Sequence, residues 1–408
     1  MSYKFFSLRF SLFSLPKLTA GEDGEDDNPK ALFHPVSRHF PEEFPLSARF
    51  LASAYNPSEP LRYSLRGTSY ASGLRPLAFH QWLELDPNER RLTRELKLKA
   101  RLLDPSGPFF STVFAAMDGT LEVQMDVLLM VLRALRLQPG YTFYTSTNET
   151  WSGEGDGSTV VRIKVAASEM QYDISAWART PLALACQLVQ EDFIILQNGV
   201  FTAGAACFSF SEVGLRGERG NMRLGEPMAF IHAAVPGFAK NMAEGINRIF
   251  QGLKPGDDGG MYRANWGLAP NGTLSPFEAE IEDPTRPKHS FSRVDGGGVE
   301  SGVVYSVSST PIPDLYLKVE HQTIHKLHPS GAVLFSIRTY ADPLPCIFKG
   351  GSEHSHVGVR ASLVLADTIL SLTPSQLKYR DLAGAPHRER LVGYLRGEAY
   401  KRLISAQP

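Results

Sequence analysis

Residues 319–340 read VEHQTIHKLHPSGAVLFSIRTY, and this stretch decides the fold. Apolar and polar side chains alternate on both sides of a turn signal, His328–Gly331, which contains Pro and Gly. Alternation with a period of two is typical of a strand that buries one face. The stretch therefore predicts two strands, Leu315–Thr323 and Ala332–Tyr340, that pair as an antiparallel hairpin.

A second hairpin is predicted upstream of the first. Asn198-Gly199 is a strong two-residue hairpin signal, because both residues tolerate positive φ angles. It follows Leu182–Leu196, which begins with a helical pattern and ends as a buried apolar run, and it precedes a strand from Val200. Tyr262–Leu268 is a further predicted strand.

Apolar residues spaced three and four apart mark the predicted helices. These are Leu92–Leu103, Leu121–Leu137, Met242–Leu253, Ser362–Ser371 and Arg388–Leu403. Helices come first along the chain, and hairpins alternate with helices afterwards. This order predicts an α+β fold, in which an antiparallel sheet has flanking helices.

Bulk composition excludes several classes of protein. The 408 residues carry a net charge of −1, whereas a nucleic-acid binder usually has a basic excess. Three scattered cysteines, without a CxxC pair, argue against a disulfide scaffold and exclude a four-thiolate iron–sulfur cluster within this chain. No apolar run is long enough to span a bilayer.

The N-terminal residues differ in composition from the rest of the chain. Residues 1–28 end in the acidic run GEDGEDDN, which predicts a flexible segment. Residues 1–20 combine basic residues with a serine stripe, which fits either an organelle targeting peptide or an ordinary edge strand. We therefore expect a cytoplasmic protein, with a mitochondrial location through residues 1–20 as the alternative. Residues 29–408 are predicted to form one elaborated domain.

Histidines are the candidate metal ligands. His321, His325 and His328 would share one face if they lay on a helix, but a strand and a turn would spread their side chains apart. His232 lies in an apolar segment, GEPMAFIHAAVPG, from Gly225 to Gly237. A lone histidine there is either a satisfied core residue or an axial iron donor, since a haem site needs an apolar wall and one imidazole.

Several segments resemble the haem-dependent oxidative N-demethylase-like family, in the family's order along the chain. They include Trp82–Asp86 (WLELD), Gln190–Asp192 (QED), Gly225–Gly237 and Arg263–Trp266 (RANW). The most specific is the hairpin from Val319 to Tyr340, and the closing segment runs from Tyr379 to Leu395. Together these segments cover about half of the chain.

The resemblance implies a PAS-like antiparallel sheet that holds haem b. It also implies oxidative N-demethylation of a small secondary amine with O2, which releases formaldehyde. Electrons would come from an external reductase that carries flavin and an iron–sulfur centre. The sparse cysteines of this chain agree with that division of labour.

The resemblance also implies site residues. His232 is expected to ligate the iron, Arg263 and Asn265 to bind the cofactor, and Arg338, Tyr340 and Glu320 to form the catalytic group. Alternatives remain for four of them. The two arginines would pair with haem propionates or with Glu320, and Tyr340 and Asn265 would donate hydrogen bonds in a pocket or satisfy the sheet edge.

The sequence departs from the family pattern in the hairpin. His321 stands where the family has arginine, and His325 and Lys326 occupy its next two basic positions. These changes put the substrate, and the reaction itself, in doubt. The alternatives to an enzyme are a haem-binding sensor and a non-catalytic, haem-free relative.

Overall fold

The computed structural model describes most of the chain from residue 74 onward. The described residues are 74–405, except 84, 87, 137, 148, 152–156, 209–222, 233–234, 239–242, 257–258, 276, 279–280, 282–297, 301–302 and 349–354. The predicted segment 1–28 lies outside them. Within the described residues, helices and antiparallel sheets are mixed, which confirms the predicted α+β class.

Twelve strands form three sheets in the described part of the chain. They are β1 (Arg75–Leu77), β2 (Phe114–Ala116), β3 (Tyr141–Thr145), β4 (Val160–Val165), β5 (Met170–Asp173), β6 (Asp192–Gln197), β7 (Val200–Ala205), β8 (Gly260–Ala269), β9 (Gly298–Glu300), β10 (Val303–Tyr305), β11 (Tyr316–Lys326) and β12 (Val333–Pro343). The main sheet has the order β1-β8-β11-β12-β6-β7-β2. The smaller sheets are β3-β4-β5 and the hairpin of β9 with β10.

Both predicted hairpins are confirmed. Strands β11 and β12 pair along their whole length, from Tyr316 with Pro343 to Lys326 with Val333. In the β6–β7 hairpin, Asn198 has φ 52° and Gly199 has φ 77°. Positive φ at both turn positions matches the right-handed twist of the strands, so the turn itself sets this pairing.

Nine α-helices flank the sheets in the described residues. They are α1 (Glu89–Leu102), α2 (Phe110–Val113), α3 (Leu121–Leu135), α4 (Pro181–Leu188), α5 (Met228–Ile231), α6 (Ala243–Gly252), α7 (Ser355–Ser371), α8 (Pro374–Tyr379) and α9 (Ala385–Ser405). Asn88 caps α1 by accepting from the backbone N–H groups of Arg90 and Arg91. Within the described residues, every helix is either too short or too polar to span a bilayer.

The register of β8, β11 and β12 sorts their side chains onto two faces of the main sheet. Glu320 pairs with Asn265 on one side and with Thr339 on the other, so these three share what we call the front face. His321 pairs with Arg338, and these two lie on the opposite, back face. Two residues that are neighbours along a strand therefore lie on opposite faces of the sheet and contact different side chains.

Apolar residues cover part of each face. On the front, Ile231 of α5 and Phe250 of α6 cluster with Ile337 of the sheet. On the back, α1, α3 and α4 pack on one half of the sheet, and α7 and α9 pack on the other half. Buried polar side chains lie between these clusters on both faces.

Short strands were missed by the sequence patterns. β1 and β2 have three residues each, and neither is long enough to show an alternating pattern. They occupy the two edges of the main sheet, where they are held by pairing with β8 and β7. Pairing with a neighbouring strand, rather than side-chain alternation, makes them strands.

Candidate functional site

The front face carries a buried carboxylate with amide partners. Glu320 is only 1% exposed. Its Oε2 accepts from Gln322 Nε2 at 2.7 Å and from Asn265 Nδ2 at 3.4 Å. Arg263 lies on the same face, because its register partner is Gln322, two positions from Glu320. Three predicted site residues, Arg263, Asn265 and Glu320, are therefore brought together.

Arg380 joins this group from the end of α8, and the sequence patterns did not single it out. Its Nη2 donates to Asn265 Oδ1 at 3.3 Å, its Nη1 donates to the Trp266 carbonyl oxygen, and its guanidinium lies 4.5 Å from the Trp266 ring centroid. Burial lowers the pKa of Arg380 to about 10, and the charge of Arg263 acts in the same direction. The charge of Arg263 therefore acts on the pKa of Arg380, which binds Asn265.

Only a weak signal in the sequence could have found Arg380. It directly follows Tyr379, where the closing segment of the family resemblance begins. Its partners lie 114 and 115 positions earlier in the chain, so no local pattern connects them.

His232 ends α5 and is held in one tautomer. Its Nδ1 lies 3.0 Å from the Met228 carbonyl oxygen, which can only accept, so Nδ1 carries the proton and Nε2 carries the lone pair. The ring stacks on Phe238 with centroids 4.5 Å apart. Among the described residues, none forms a hydrogen bond with Nε2.

Electrostatics keep the His232 imidazole neutral. Burial lowers its pKa, the Met228 carbonyl opposes this shift, and the positive charge of Arg263 reinforces it. A neutral imidazole with an available Nε2 is the form that ligates a metal. Ile231, the residue before His232, packs with Ile337 on the front face, so His232 follows a residue on the same side of the sheet as Arg263.

Arg338 lies on the back face and is 1% exposed. Its Nη1 donates to Glu95 Oε2 at 2.8 Å, and its Nη2 lies 3.8 Å from Asp86 Oδ2. Burial alone would lower the pKa of Arg338, but the Glu95 carboxylate and other negative groups outweigh it and raise the pKa above its ordinary value. Arg338 is therefore a paired, charged residue of the interior.

The surroundings of Arg338 extend into what we call the charged network. Gln190 Nε2 donates to Glu95, and its Oε1 accepts from the Asp86 backbone N–H at 2.9 Å. Arg91 contacts Asp86 at 3.0 Å. Burial raises the pKa of Asp86, and Arg91 opposes that shift. The segments WLELD and QED, which carry the family resemblance, thus meet the hairpin strand β12 in this network.

The alternative pairing of Arg338 with Glu320 is wrong. Glu320 is opposite Thr339 in the register, so Arg338 and Glu320 point to opposite faces of the sheet. Arg338 pairs with Glu95 and Asp86 instead. Tyr340 lies on the back face with Arg338. The guanidinium of Arg338 is 4.5 Å from the centroid of the Tyr340 ring. The predicted catalytic group is accordingly split between the two faces.

The strand also separates the histidines of the HxxxHxxH series. His321 and His325 lie four residues apart on β11, which is about 13 Å along an extended strand, too far for one metal ion. His321 contacts the ring of Tyr262, and His325 packs on Trp82. Burial lowers the pKa of His325 to about 4. These histidines belong to the packing of the back face.

Another group of ligand-type side chains lies deep behind the sheet. One ligand atom from each of Cys186, Asp192 and Cys207 falls within 4.8 Å of the others. The ammonium of Lys99, however, lies 3.1 Å from Asp192 Oδ1 and 3.2 Å from Cys186 Sγ. A cation already occupies this position, so we do not interpret the group as a metal site.

Comparison with known proteins adds one match. A family model described as haem-dependent oxidative N-demethylase, alpha subunit-like, matches residues 73–381, which is well over half of the chain. No curated protein matches the chain.

Proposed function

Because the chain belongs to the haem-dependent oxidative N-demethylase, alpha subunit-like family, we propose that it is a haem-dependent oxidoreductase that demethylates a small secondary amine. In the balanced reaction, one oxygen atom of O2 is added to the methyl carbon, which leaves as formaldehyde. The other oxygen atom becomes water, with two protons and two electrons. A separate reductase with flavin and an iron–sulfur centre would supply those electrons, and the main sheet would be the PAS-like haem fold.

The tautomer of His232 is the observation that carries this proposal. Haem binding needs a side-chain donor to the iron in apolar surroundings. The Nδ1–H of His232 is fixed on the Met228 carbonyl, which orients the ring and makes Nε2 the donor. Met228 and Ile231 are buried beside it, and Phe238 covers the ring. These residues fit the group.

Bound at this place, haem b would supply the redox-active iron at which O2 is reduced. The chain's own residues would bind and orient. Arg263 and Arg380 would pair with the propionate carboxylates, because a guanidinium offers two parallel donors to a carboxylate. The amide of Asn265 would add a neutral donor beside them.

Glu320 is the group that we assign to the substrate amine. A buried carboxylate accepts a hydrogen bond from an amine N–H, and the bond from Gln322 Nε2 holds Glu320 in place. Arg338 and Tyr340, on the back face, would act on this site only through strand β12. We assign them the positioning of that strand rather than contact with substrate.

Absorption spectra of the full chain, expressed with ample haem, test the proposal. We expect a Soret band in the wild type, and its loss or shift in His232→Ala. His328→Ala is the matched control, because His328 is exposed in the turn between β11 and β12 and should leave the band unchanged. Formaldehyde release from dimethylamine, with a chemical reductant, would then measure turnover.

The outcomes separate the competing functions. A Soret band without amine-dependent turnover would favour a haem-binding sensor. Absence of the band in the wild type would overturn the haem proposal and favour a haem-free relative. A band that is unchanged in His232→Ala would show that another residue ligates the iron.

A further inference from the structure

Two cysteines that are 21 positions apart in sequence meet behind the main sheet. Cys186 lies on α4, and Cys207 follows β7. Both are buried, with exposed fractions of 0% and 2%. Their Sγ atoms lie within 4.8 Å of each other. We call them the thiol pair.

A buried ammonium contacts one member of the thiol pair. Lys99 of α1 donates to Cys186 Sγ at 3.2 Å and to the Cys186 carbonyl oxygen at 3.3 Å, and it also donates to the Glu191 carbonyl oxygen. A neighbouring cation stabilises a thiolate relative to a thiol, and the thiolate is the reactive form. Cys186, the member in contact with the ammonium, is therefore assigned as the nucleophile.

Cys207 has the complementary character. Burial raises the pKa of its thiol, and the contact with Cys186 acts in the same direction, so Cys207 stays protonated. A thiol beside a cation, with a second thiol within 4.8 Å, is the arrangement of a reactive cysteine and a resolving cysteine.

We propose that Cys186 and Cys207 are a modification site, at which hydrogen peroxide converts the thiol pair to a reversible disulfide. Cys186 Sγ attacks one peroxide oxygen, the O–O bond breaks, and one water molecule leaves a sulfenic acid. Cys207 Sγ then attacks Cys186 Sγ, the S–O bond breaks, the S–S bond forms, and a second water molecule leaves. Two thiols lose two electrons in total, which reduce one peroxide.

Burial determines which oxidant can act. Side chains that are 0% and 2% exposed exclude a bulky oxidant such as glutathione disulfide, so the oxidant that we name is the small molecule hydrogen peroxide. Cys346 is half-buried, which makes it an internal reference for ordinary thiol exposure. A transient disulfide is compatible with a reducing compartment, where such bonds usually serve redox sensing. This inference does not depend on haem.

Peptide mapping of the native full chain tests the proposal without substitutions. After peroxide treatment, quenching and alkylation, we expect two of the three thiols to be lost. Before alkylation, the intact mass should be about 2 Da lower than that of the untreated chain, because a disulfide loses two hydrogens. The Cys186 and Cys207 peptides should appear linked, and dithiothreitol should separate them.

Matched variants extend the test. Cys346→Ser should still lose two thiols, whereas Cys186→Ser and Cys207→Ser should form no linked peptide. Mass gains of about 16 or 32 Da on separate cysteines would overturn the proposal, because they would show oxidation without resolution. A cross-link from Lys99 to either cysteine, or full retention of both thiols while Cys346 is oxidised, would overturn it as well.

Discussion

Arg338 Nη1 and Glu95 Oε2 form an ion pair at 2.8 Å that joins strand β12 to helix α1 across 243 positions of sequence. Both side chains are at most 3% exposed. Such a pair ties the N-terminal helices to the centre of the main sheet. It also explains why Trp82–Asp86 and Gln190–Asp192 lie near the same strand, because Asp86 and Gln190 bind to the pair.

Breaking this pair is expected to destabilise the fold strongly. Arg338→Met would leave Glu95 as a buried charge without its cation, which costs about 3–5 kcal/mol. Urea unfolding, followed by circular dichroism, measures the free energy of unfolding. The control is Arg248→Met, because Arg248 pairs with Glu244 on the exposed surface of α6 and should change stability by less than about 1 kcal/mol. Equal losses in both variants would contradict the assignment.

His325 is expected to make the fold sensitive to acid. Neither ring nitrogen has a hydrogen-bond partner in the described part of the chain, and burial lowers the pKa from 6.5 to about 4. The unfolded chain therefore binds a proton at higher pH than the folded one. Stability from this residue is complete above about pH 6.5, falls as pH decreases, and levels off below about pH 4, with a total loss of about 3 kcal/mol.

The difference between wild type and His325→Leu measures that contribution. The wild-type free energy of unfolding should fall by about 3 kcal/mol relative to that of His325→Leu as pH falls from 7 to about 4, because only the wild type has the proton-linked loss. His328→Ala, at an exposed turn position, should follow the wild-type pH profile. Parallel profiles for wild type and His325→Leu would show that His325 does not titrate in this way.

Gly260 is expected to tolerate no side chain. A Cβ atom there would clash with His325 Nε2 and lie 3.2 Å from the Leu77 carbonyl oxygen, so Gly260→Ala should cost about 1–3 kcal/mol. Gly245→Ala in helix α6 is the matched control, since its Cβ would meet nothing within 4 Å. That control should stabilise the protein by up to about 1 kcal/mol. The midpoint of thermal unfolding, measured for both variants, tests this prediction. Similar midpoints for Gly260→Ala and Gly245→Ala would contradict the packing argument.

Arg380 is expected to retain haem if the proposed site is correct. Arg380→Lys keeps a positive charge but loses the stacking on the Trp266 ring. It also loses the paired hydrogen bonds that the guanidinium donates to Asn265 Oδ1 and to the Trp266 carbonyl oxygen. Loss of about 1.4 kcal/mol would speed haem release about tenfold. Transfer of haem to a scavenger protein, followed at the Soret band, measures the rate. Lys378→Arg, on the same helix, is the control, and an unchanged rate in Arg380→Lys would remove Arg380 from the site.

Sequence patterns predicted the long elements well, because each of these carries its own periodic signal. The hairpin of β11 and β12 and the Asn198-Gly199 turn followed from alternation and turn chemistry alone. The three-residue strands β1 and β2 did not, because their structure depends on a partner strand.

The candidate site was only partly predictable. Arg263 and Asn265, the predicted cofactor residues, lie on one face of the sheet, and Glu320, predicted for the catalytic group, lies beside them. The expected group of Glu320 with Arg338 and Tyr340 failed because alternation in β12 sends neighbouring residues to opposite faces, and the register is set by the whole hairpin. The roles of these residues in a reaction stay predictions.

The sequence by itself determined the α+β class, the two hairpins and the family, because these depend on local periodicity and on motifs in a fixed order. Tertiary structure alone decided the partners of the buried charges. Glu95 and Arg338, Asn265 and Arg380, and Cys186 and Cys207 are each distant in the chain. A buried charge or thiol acquires its chemistry from whatever the fold places beside it, and no local pattern specifies that neighbour.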